Sequence, residues 1–256
     1  MSLFLTFIFL IAAGFVAGLL ASVAGLASLA SYPALLLVGL PPVLANVTNT
    51  TALIFSGIGS TMSSLRELHG HWKKVALFTF LASCGSVAGS WLLLIAPASS
   101  FEKIVPFFIF AAGLLLLLSS RKKGISKNSL PTQANIWISL VSLIGIFFVG
   151  GYTGYFGAAG GVIFLAILSL ITNDQFATVN AMKNVIAFAG NLIATLIFVF
   201  KTHVAWLMVV PLGFGLLIGG YLGPIIVRHA NIHLLRALIA IAAFGLASYL
   251  FITAYF

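Results

Sequence analysis

Acidic side chains are almost missing from this chain: Glu67, Glu102 and Asp174 are the only three among 256 residues. Charged residues of both signs make up 6%, against about 25% in soluble globular domains, which excludes a soluble fold. The single cysteine, Cys84, cannot form an internal disulfide and lies in an apolar stretch, so no redox role follows from it. Alternating polar and apolar segments of the kind that build a membrane β-barrel are absent as well. Catalytic pairings are equally scarce. Four of the five histidines sit in "ELHGHWKK" (67–74) and "HANIH" (229–233). Both stretches are short loops rich in Lys or Arg, which suits solvated histidines better than metal ligands. No nucleophile–base pair is visible, and no cofactor motif is present, so the chain reads as a non-enzyme that needs no cofactor.

Apolar residues, by contrast, account for 62% of the chain. They fall into ten segments, 2–23, 25–40, 49–65, 74–96, 101–119, 134–157, 160–172, 175–200, 204–227 and 233–255. A span of hydrocarbon about 30 Å thick needs about 20 helical residues, and eight of the segments approach or exceed that length. The expected fold is therefore all-α, a polytopic integral membrane protein. The second and seventh segments are short, and the second carries Pro33 inside it and Pro41-Pro42 at its end. Broken or re-entrant helices of this kind survive at membrane depth only where protein or a polar cavity satisfies their backbone. The N-terminus lacks a basic region ahead of its apolar run and reads as a retained first helix.

The longest polar stretch, "SSRKKGISKNSLP" (119–131), divides the chain near its middle. This gives a first repeat over 1–120, a basic linker over 121–132 and a second repeat over 133–256. Laying Gly14 on Gly150 brings Gly18 onto Gly154 and Gly25 onto Gly161. With one residue of slip, "TNTTA" (48–52) falls on "KNVIA" (183–187), so that Asn49 matches Asn184. Duplicated halves are a common build of secondary transporters. If all ten segments cross, Arg66, Lys73, Lys74, Arg121, Lys122, Lys123, Lys127, Arg228 and Arg236 share one side, with Lys103 and Lys201 opposite. The positive-inside rule makes the richer side cytoplasmic. Five crossings per half is an odd number, so the halves are inverted. The inverted 5+5 arrangement is preferred over a 4+4 arrangement in which the two short segments re-enter, and it leaves both termini outside.

Small residues recur at four-residue spacing, as in Gly14 and Gly18 or Gly215, Gly219 and Gly223. Such stripes let helices approach closely in lipid. Lys183, in "NAMKNVIAFAGN" (180–191), is a basic residue well inside an apolar segment and not at its edge. A lysine at mid-membrane costs roughly 2.5–3.5 kcal/mol on insertion scales, so something compensates for it. It either snorkels toward Asp174 and the segment start, or faces a polar cavity and meets an anion. The anion reading leads, because Asn180, Asn184 and Asn191 share its segment and Asn46, Thr48, Asn49, Thr50 and Thr51 form a matching patch in the first half. Interhelical hydrogen bonding is the plain alternative for each of these amides and hydroxyls taken singly. The short segments begin in "ASVAGLAS" (21–28) and "FGAAGGV" (156–162). Helix starts within the membrane would turn free N–H groups toward an anion. The candidate binding residues are Lys183 for charge, Thr48, Asn49, Asn184 and Asn191 for hydrogen bonds, and Gly25, Ser28, Gly160 and Gly161 at the helix starts. No Asp or Glu falls mid-membrane, which disfavours a cation pump or a carboxylate proton relay. An inside-negative potential of about 100 mV favours exit of a dianion by about 4.6 kcal/mol, so export needs no coupling group.

Two stretches also resemble a known family. Residues 13–50 contain Ala24-Gly25 with Leu26-Ala27-Ser28, then Pro33, Leu40-Pro41-Pro42, and Ala45 with Thr48-Asn49. This order is similar to the N-terminal signature of the TauE/SafE family of sulfite and organosulfonate transporters. "GYTGYFGAAGG" (151–161) followed by "KNVIAFAGN" (183–191) resembles the family's second signature. The first glycine run is shorter than in the family, and Ala17 and Thr153 stand near places where the family often has an acid. The resemblance implies a transporter of a small sulfur-containing anion, of sulfite, sulfonate or sulfoacetate type, working by alternating access in the inner (plasma) membrane. The expected partners are a small anion and the lipid bilayer, with a second copy of the chain left open and no nucleic acid. The alternatives are a membrane-embedded accessory or assembly subunit that moves no substrate, and a transporter of neutral or cationic solutes.

Overall fold

In the computed structural model, residues 2–121, 136–157, 160–172, 174–227 and 232–255 are described. The linker from 122 onward, Ala158 and Ala159 of the glycine run, and Arg228 with most of "HANIH" lie outside them. Among the described residues the chain forms ten α-helices: α1 (Leu3–Ala24), α2 (Ser28–Leu37), α3 (Pro42–Ser63), α4 (Trp72–Ile95), α5 (Ala98–Arg121), α6 (Ile136–Tyr155), α7 (Gly160–Ile171), α8 (Phe176–Lys201), α9 (Trp206–Val227) and α10 (Ile232–Tyr255). A 3-10 turn, Arg66–Leu68, joins α3 to α4. By length and composition, α1, α4, α8 and the stretch Trp206–Ile225 of α9 are apolar enough to cross a membrane.

The distribution of side chains is inverted relative to a protein folded in water. Phe200 is 80% exposed, Leu37 75% and Phe4 72%, while Asn46, Thr48 and Asn49 are at 0%. Lipid tails accept the apolar exterior, and the buried polar groups must find partners within the protein. Trp72 and Trp206 begin α4 and α9, where amphipathic rings suit a membrane–water boundary.

Helix pairing follows the small residues. Gly215 lies against Ile11 and Phe15, Gly219 against Phe15 and Leu19, and Gly223 against Ser22. Residue numbers rise together along both partners, so α1 and α9 run parallel. In the same manner Gly150 meets Ala82 and Gly154 meets Ser86, which makes α4 and α6 parallel. Backbone approaches this tight exclude any Cβ and supply the van der Waals contact that holds helices together in lipid. The remaining principal contacts are α3 with α9, α4 with α8, α3 with α8, and α5 with α10. Exchange α1–α5 for α6–α10 and this set of contacts maps onto itself.

The direction of α3 against α8 is fixed at both ends. Ala205, just past α8, donates its N–H to Thr48 Oγ1 at 3.3 Å near the start of α3. Lys74, in the first turn of α4 after the short connection from the end of α3, reaches Asp174 at 3.3 Å before the start of α8. The two helices therefore run in opposite directions and cross where the Phe188 ring lies on Gly57.

The third helix departs from the sequence expectation of 49–65. It starts at Pro42, seven residues earlier, because proline fits the first helical position, where no N–H is needed. Its Asn/Thr patch is thus inside the helix and fully buried. The ends of α1 and α6 also refine the expected alignment. Gly25 (φ 71°) and Gly157 (φ 75°) both end a helix in the left-handed conformation. The Gly25 N–H returns to Ala21 O at 2.8 Å and that of Gly157 to Tyr152 O at 3.0 Å. Gly25 is thus the counterpart of Gly157 in its role, while its aligned partner Gly161 is its neighbour in space. The two backbones touch so closely that a Cβ on either would overlap the other's Cα.

This contact gives a contrast that a stability measurement resolves. Gly25→Val meets both the left-handed conformation and the Gly161 backbone, and should abolish a monodisperse folded protein in detergent. Gly39→Ala has the same kind of conformation (φ 96°) with nothing within 4 Å, and should lose only about 1–2 kcal/mol. Thermal melting and size-exclusion chromatography of the two variants would report the difference.

Candidate functional site

The two broken helix pairs, α1–α2 and α6–α7, meet at the Gly25–Gly161 contact and lie against the crossing of α3 and α8. Each broken pair leaves a set of C-terminal carbonyls inside the protein. At the end of α1, Asn180 on α8 donates its Nδ2 to Ser22 O at 2.9 Å. Lys183, one turn on, donates Nζ to Ala21 O at 2.9 Å and to Ser22 O at 3.3 Å. A cation at the negative end of a helix is electrostatically favourable, more so when shielded from water. Lys183 is 1% exposed, so the snorkelling alternative is not the arrangement found. Asp174 pairs instead with Lys74, and His71 Nδ1 lies 3.7 Å from it.

At the end of α6 the other half makes half of the same arrangement. Asn46 on α3 donates Nδ2 to Tyr155 O at 2.8 Å. Asn46 is therefore the counterpart of Asn180, and Asn49, one turn on, is the counterpart of Lys183. The alignment that set Asn49 against Asn184 is one residue out of this register. Asn49 is too short to reach a carbonyl cluster as lysine does, and its Nδ2 donates to Ser28 Oγ at 3.1 Å.

A cavity of about 60 Å³ lies where these elements converge. One water needs about 10–15 Å³ of such space, so about four waters, or one small oxyanion, fit within it. The broken pairs contribute Ala21, Gly25, Ala27 and Ser28 on one side and Thr153, Gly157 and Gly161 on the other. From α8 come Lys183, Asn184, Ala187, Phe188 and Asn191, and from α3 come Leu53, Ser56, Gly57 and Ser60. Of the nine residues proposed from sequence, the cavity gathers Lys183, Asn184, Asn191, Gly25, Ser28 and Gly161. Thr48 and Asn49 are buried one or more turns away on α3, engaged with Ala205 and Ser28. Gly160 opens α7 beside the cavity, with the Thr153 side chain on the face where its Cβ would stand. Sequence reasoning missed Ser56, Gly57, Ser60, Thr153 and Gly157. The i, i+4 pair Ser56 and Ser60 was the readable signal, since it puts two hydroxyls on one face of α3.

The cavity's donors exceed its acceptors in one respect. An ammonium has three N–H groups, and two of those on Lys183 are used by the end of α1. Asn184 Nδ2 is buried with no partner among the described residues. A buried donor left unmade costs about 1–3 kcal/mol. Both groups suit an acceptor-only guest.

Comparison with known proteins agrees with this architecture. The family model described as Sulfite exporter TauE/SafE matches residues 10–250. The chain belongs to the TauE/SafE family. This is a family of membrane transporters, and the protein is accordingly a multi-pass membrane protein and not an enzyme. It is 28% identical to the Probable membrane transporter protein ORF9 of Sinorhizobium sp over 93% of this chain and 90% of the relative. It is 27% identical to a Probable membrane transporter protein of Haemophilus influenzae over 90% and 89% of the two chains. To the Probable membrane transporter protein YunE of Bacillus subtilis it is 23% identical, over 88% and 89%. No solved structure matches. Membership of TauE/SafE assigns a transporter, and the names of these relatives specify no substrate.

The capping of α1 by Lys183 predicts a stability effect without any ligand. Lys183→Met removes a charged cap from α1, and hydrogen bonds to charged groups are worth about 1.5–3 kcal/mol. The variant should melt below the wild type in anion-poor buffer, and Asn180→Ala should lose about 1 kcal/mol through the same helix end. Thermal unfolding of detergent-purified protein would check both.

Proposed function

We propose that this TauE/SafE protein is a secondary transporter of a small sulfur-containing oxyanion, held near mid-membrane in the cavity beside Lys183. The observation that carries this reading is a buried ammonium with one N–H to spare, next to the unpartnered Nδ2 of Asn184, in a cavity large enough for one oxyanion. Asn191 and the hydroxyl of Ser56, unpartnered among the described residues, add donors, while Ser60 and Thr153 give their O–H groups to the carbonyls of Gly57 and Gly150. The backbone at Gly25 and Gly161 comes close to the anion because neither carries a side chain. The sulfur class rests on the family's description as sulfite exporters.

The halves 1–120 and 133–256 are two inverted repeats of five crossings each, joined by the linker 121–132, and they exchange access by moving against one another about the site. The self-consistent exchange of helix contacts and the opposed directions of α3 and α8 support this. Parallel α1 and α9 support it further, since both α1 and α3 then begin on the side where α9 begins. The basic residues Arg66, Lys73 and Lys74, together with Arg121 at the end of α5, lie on the other side. By the positive-inside rule that side is the cytoplasm, both termini are outside, and the membrane is the inner (plasma) membrane.

Two measurements test these statements. Cysteine introduced at Ser2 or Ala254, in a Cys84→Ser background, should react with an impermeant maleimide on intact cells. Labelling only after lysis would reject the inverted topology. In a thermal-shift panel of sulfite, sulfoacetate, taurine, sulfate, phosphate and acetate, sulfite or sulfoacetate should raise the melting midpoint. A ligand at 100 Kd stabilises by about 2.7 kcal/mol. The shift should vanish in Lys183→Met; an equal shift in that variant would remove the lysine from the site. No shift with any anion would favour an accessory subunit.

A further inference from the structure

The two broken helices end differently. At α1 the carbonyls face an amide, Asn180, and an ammonium, Lys183. At α6 they face an amide, Asn46, and no ammonium; the counterpart of Lys183 is the neutral Asn49. The α6 end is shielded all the same. Tyr32 and Phe101 pack edge-on against Phe156 at 5.3 and 5.5 Å, and Phe101 lies 5.7 Å from the Tyr155 ring. The negative end of a helix is thus buried among aromatic rings with only neutral donors against it.

Among the described residues, Asn46 Oδ1 and Asn49 Oδ1 are both buried without a partner, on residues at 0% exposure. Asn180 Oδ1 is unpartnered in the same way at the α1 end, so the oxygen that sets the α6 end apart is that of Asn49, where the other half has the Lys183 ammonium. Asn46 and Asn49 stand three residues apart on α3, on one face. The Nδ2 of Asn46 is committed to Tyr155 O, so the amide's oxygen is held beside the same carbonyl. Buried acceptors call for a donor or a cation. Of the three acids, Glu67 lies in the 3-10 turn and Asp174 before α8; Glu102, exposed near the start of α5, follows Phe101 of this aromatic cluster and acts electrostatically on Tyr32. Neutral oxygens alone suit a monovalent hard cation better than calcium or magnesium, which take carboxylates. Helix C-terminal ends and unwound carbonyls are the usual sodium ligands in transporters built from broken helices.

We infer that Asn46, Asn49 and the C-terminal end of α6 form a binding site for a small monovalent cation, sodium being the probe, which takes in the first half the place that the Lys183 ammonium takes in the second. Its use as a coupling ion rests on the transporter reading above; its existence as a binding site does not. With a cation bound, an anion's charge is offset during crossing, and uptake against the membrane potential has a driving ion.

The test is the melting midpoint of detergent-purified full-length protein in sodium chloride against choline chloride at equal ionic strength, with no sulfur anion present. The wild type should melt higher in sodium. Asn49→Ala and Asn46→Ala should lose that difference. Asn49→Lys, which supplies the second ammonium, should melt in choline as the wild type does in sodium and respond to neither salt. Equal melting of the wild type in the two salts overturns the site. An undiminished sodium response in both alanine variants overturns its location. If Asn49→Lys does not fold, the alanine variants decide. Because the readout needs no anion, a negative result in the sulfur panel leaves this result standing, and the reverse also holds.

Discussion

The pairing of Lys183 with the carbonyl end of α1 is the constraint on which the middle of this protein depends. A helix that stops inside a membrane leaves acceptors that lipid cannot satisfy, and a lysine inside a membrane is a charge that lipid cannot solvate. Each defect is the remedy for the other. The pairing requires α8 to lie across the end of α1, which places Asn184 and Asn191 beside the break. It also requires the chain to turn sharply at Gly25, so that α2 returns along a separate path. The cavity is the space left between these obligations.

The same solution is built twice, but with different side chains. Asn180 and Asn46 perform equivalent tasks at equivalent helix ends in opposite halves. Lys183 and Asn49 do not. Two similarly built helix ends therefore carry different charge, an ammonium at the end of α1 and only amides at the end of α6. That difference arises from one residue position.

Much of this was legible in the sequence. Low charge and repeated apolar runs dictate a helical membrane protein, and all ten segments correspond to helices. Lys183 stood out because a lysine is costly at that depth. Other features depend on geometry that spacing does not carry. Pro42 reads as a breaker, yet it starts α3 and draws the Asn/Thr patch into the helix, where Thr48 and Asn49 are buried away from the cavity. Gly25 and Gly161 align as equivalents, yet they are neighbours, because the relation between the halves brings the breaks face to face. Ser56, Ser60 and Thr153 are ordinary hydroxyls in sequence, and only the packing of α3 and α8 against the break after α6 brings them to one space.

The exchange of partners between halves bears on biosynthesis. The closest neighbour of α1 is α9, and that of α4 is α6. The glycine face of α1 therefore emerges from the ribosome about 203 residues before the surface it fits, since α1 begins at Leu3 and α9 at Trp206. The first half enters the bilayer with its seams open and its broken helix uncapped, since Asn180 and Lys183 have not yet been made. The seam of α1 with α9 and the capped end of α1 can close only after α8 and α9 have been made.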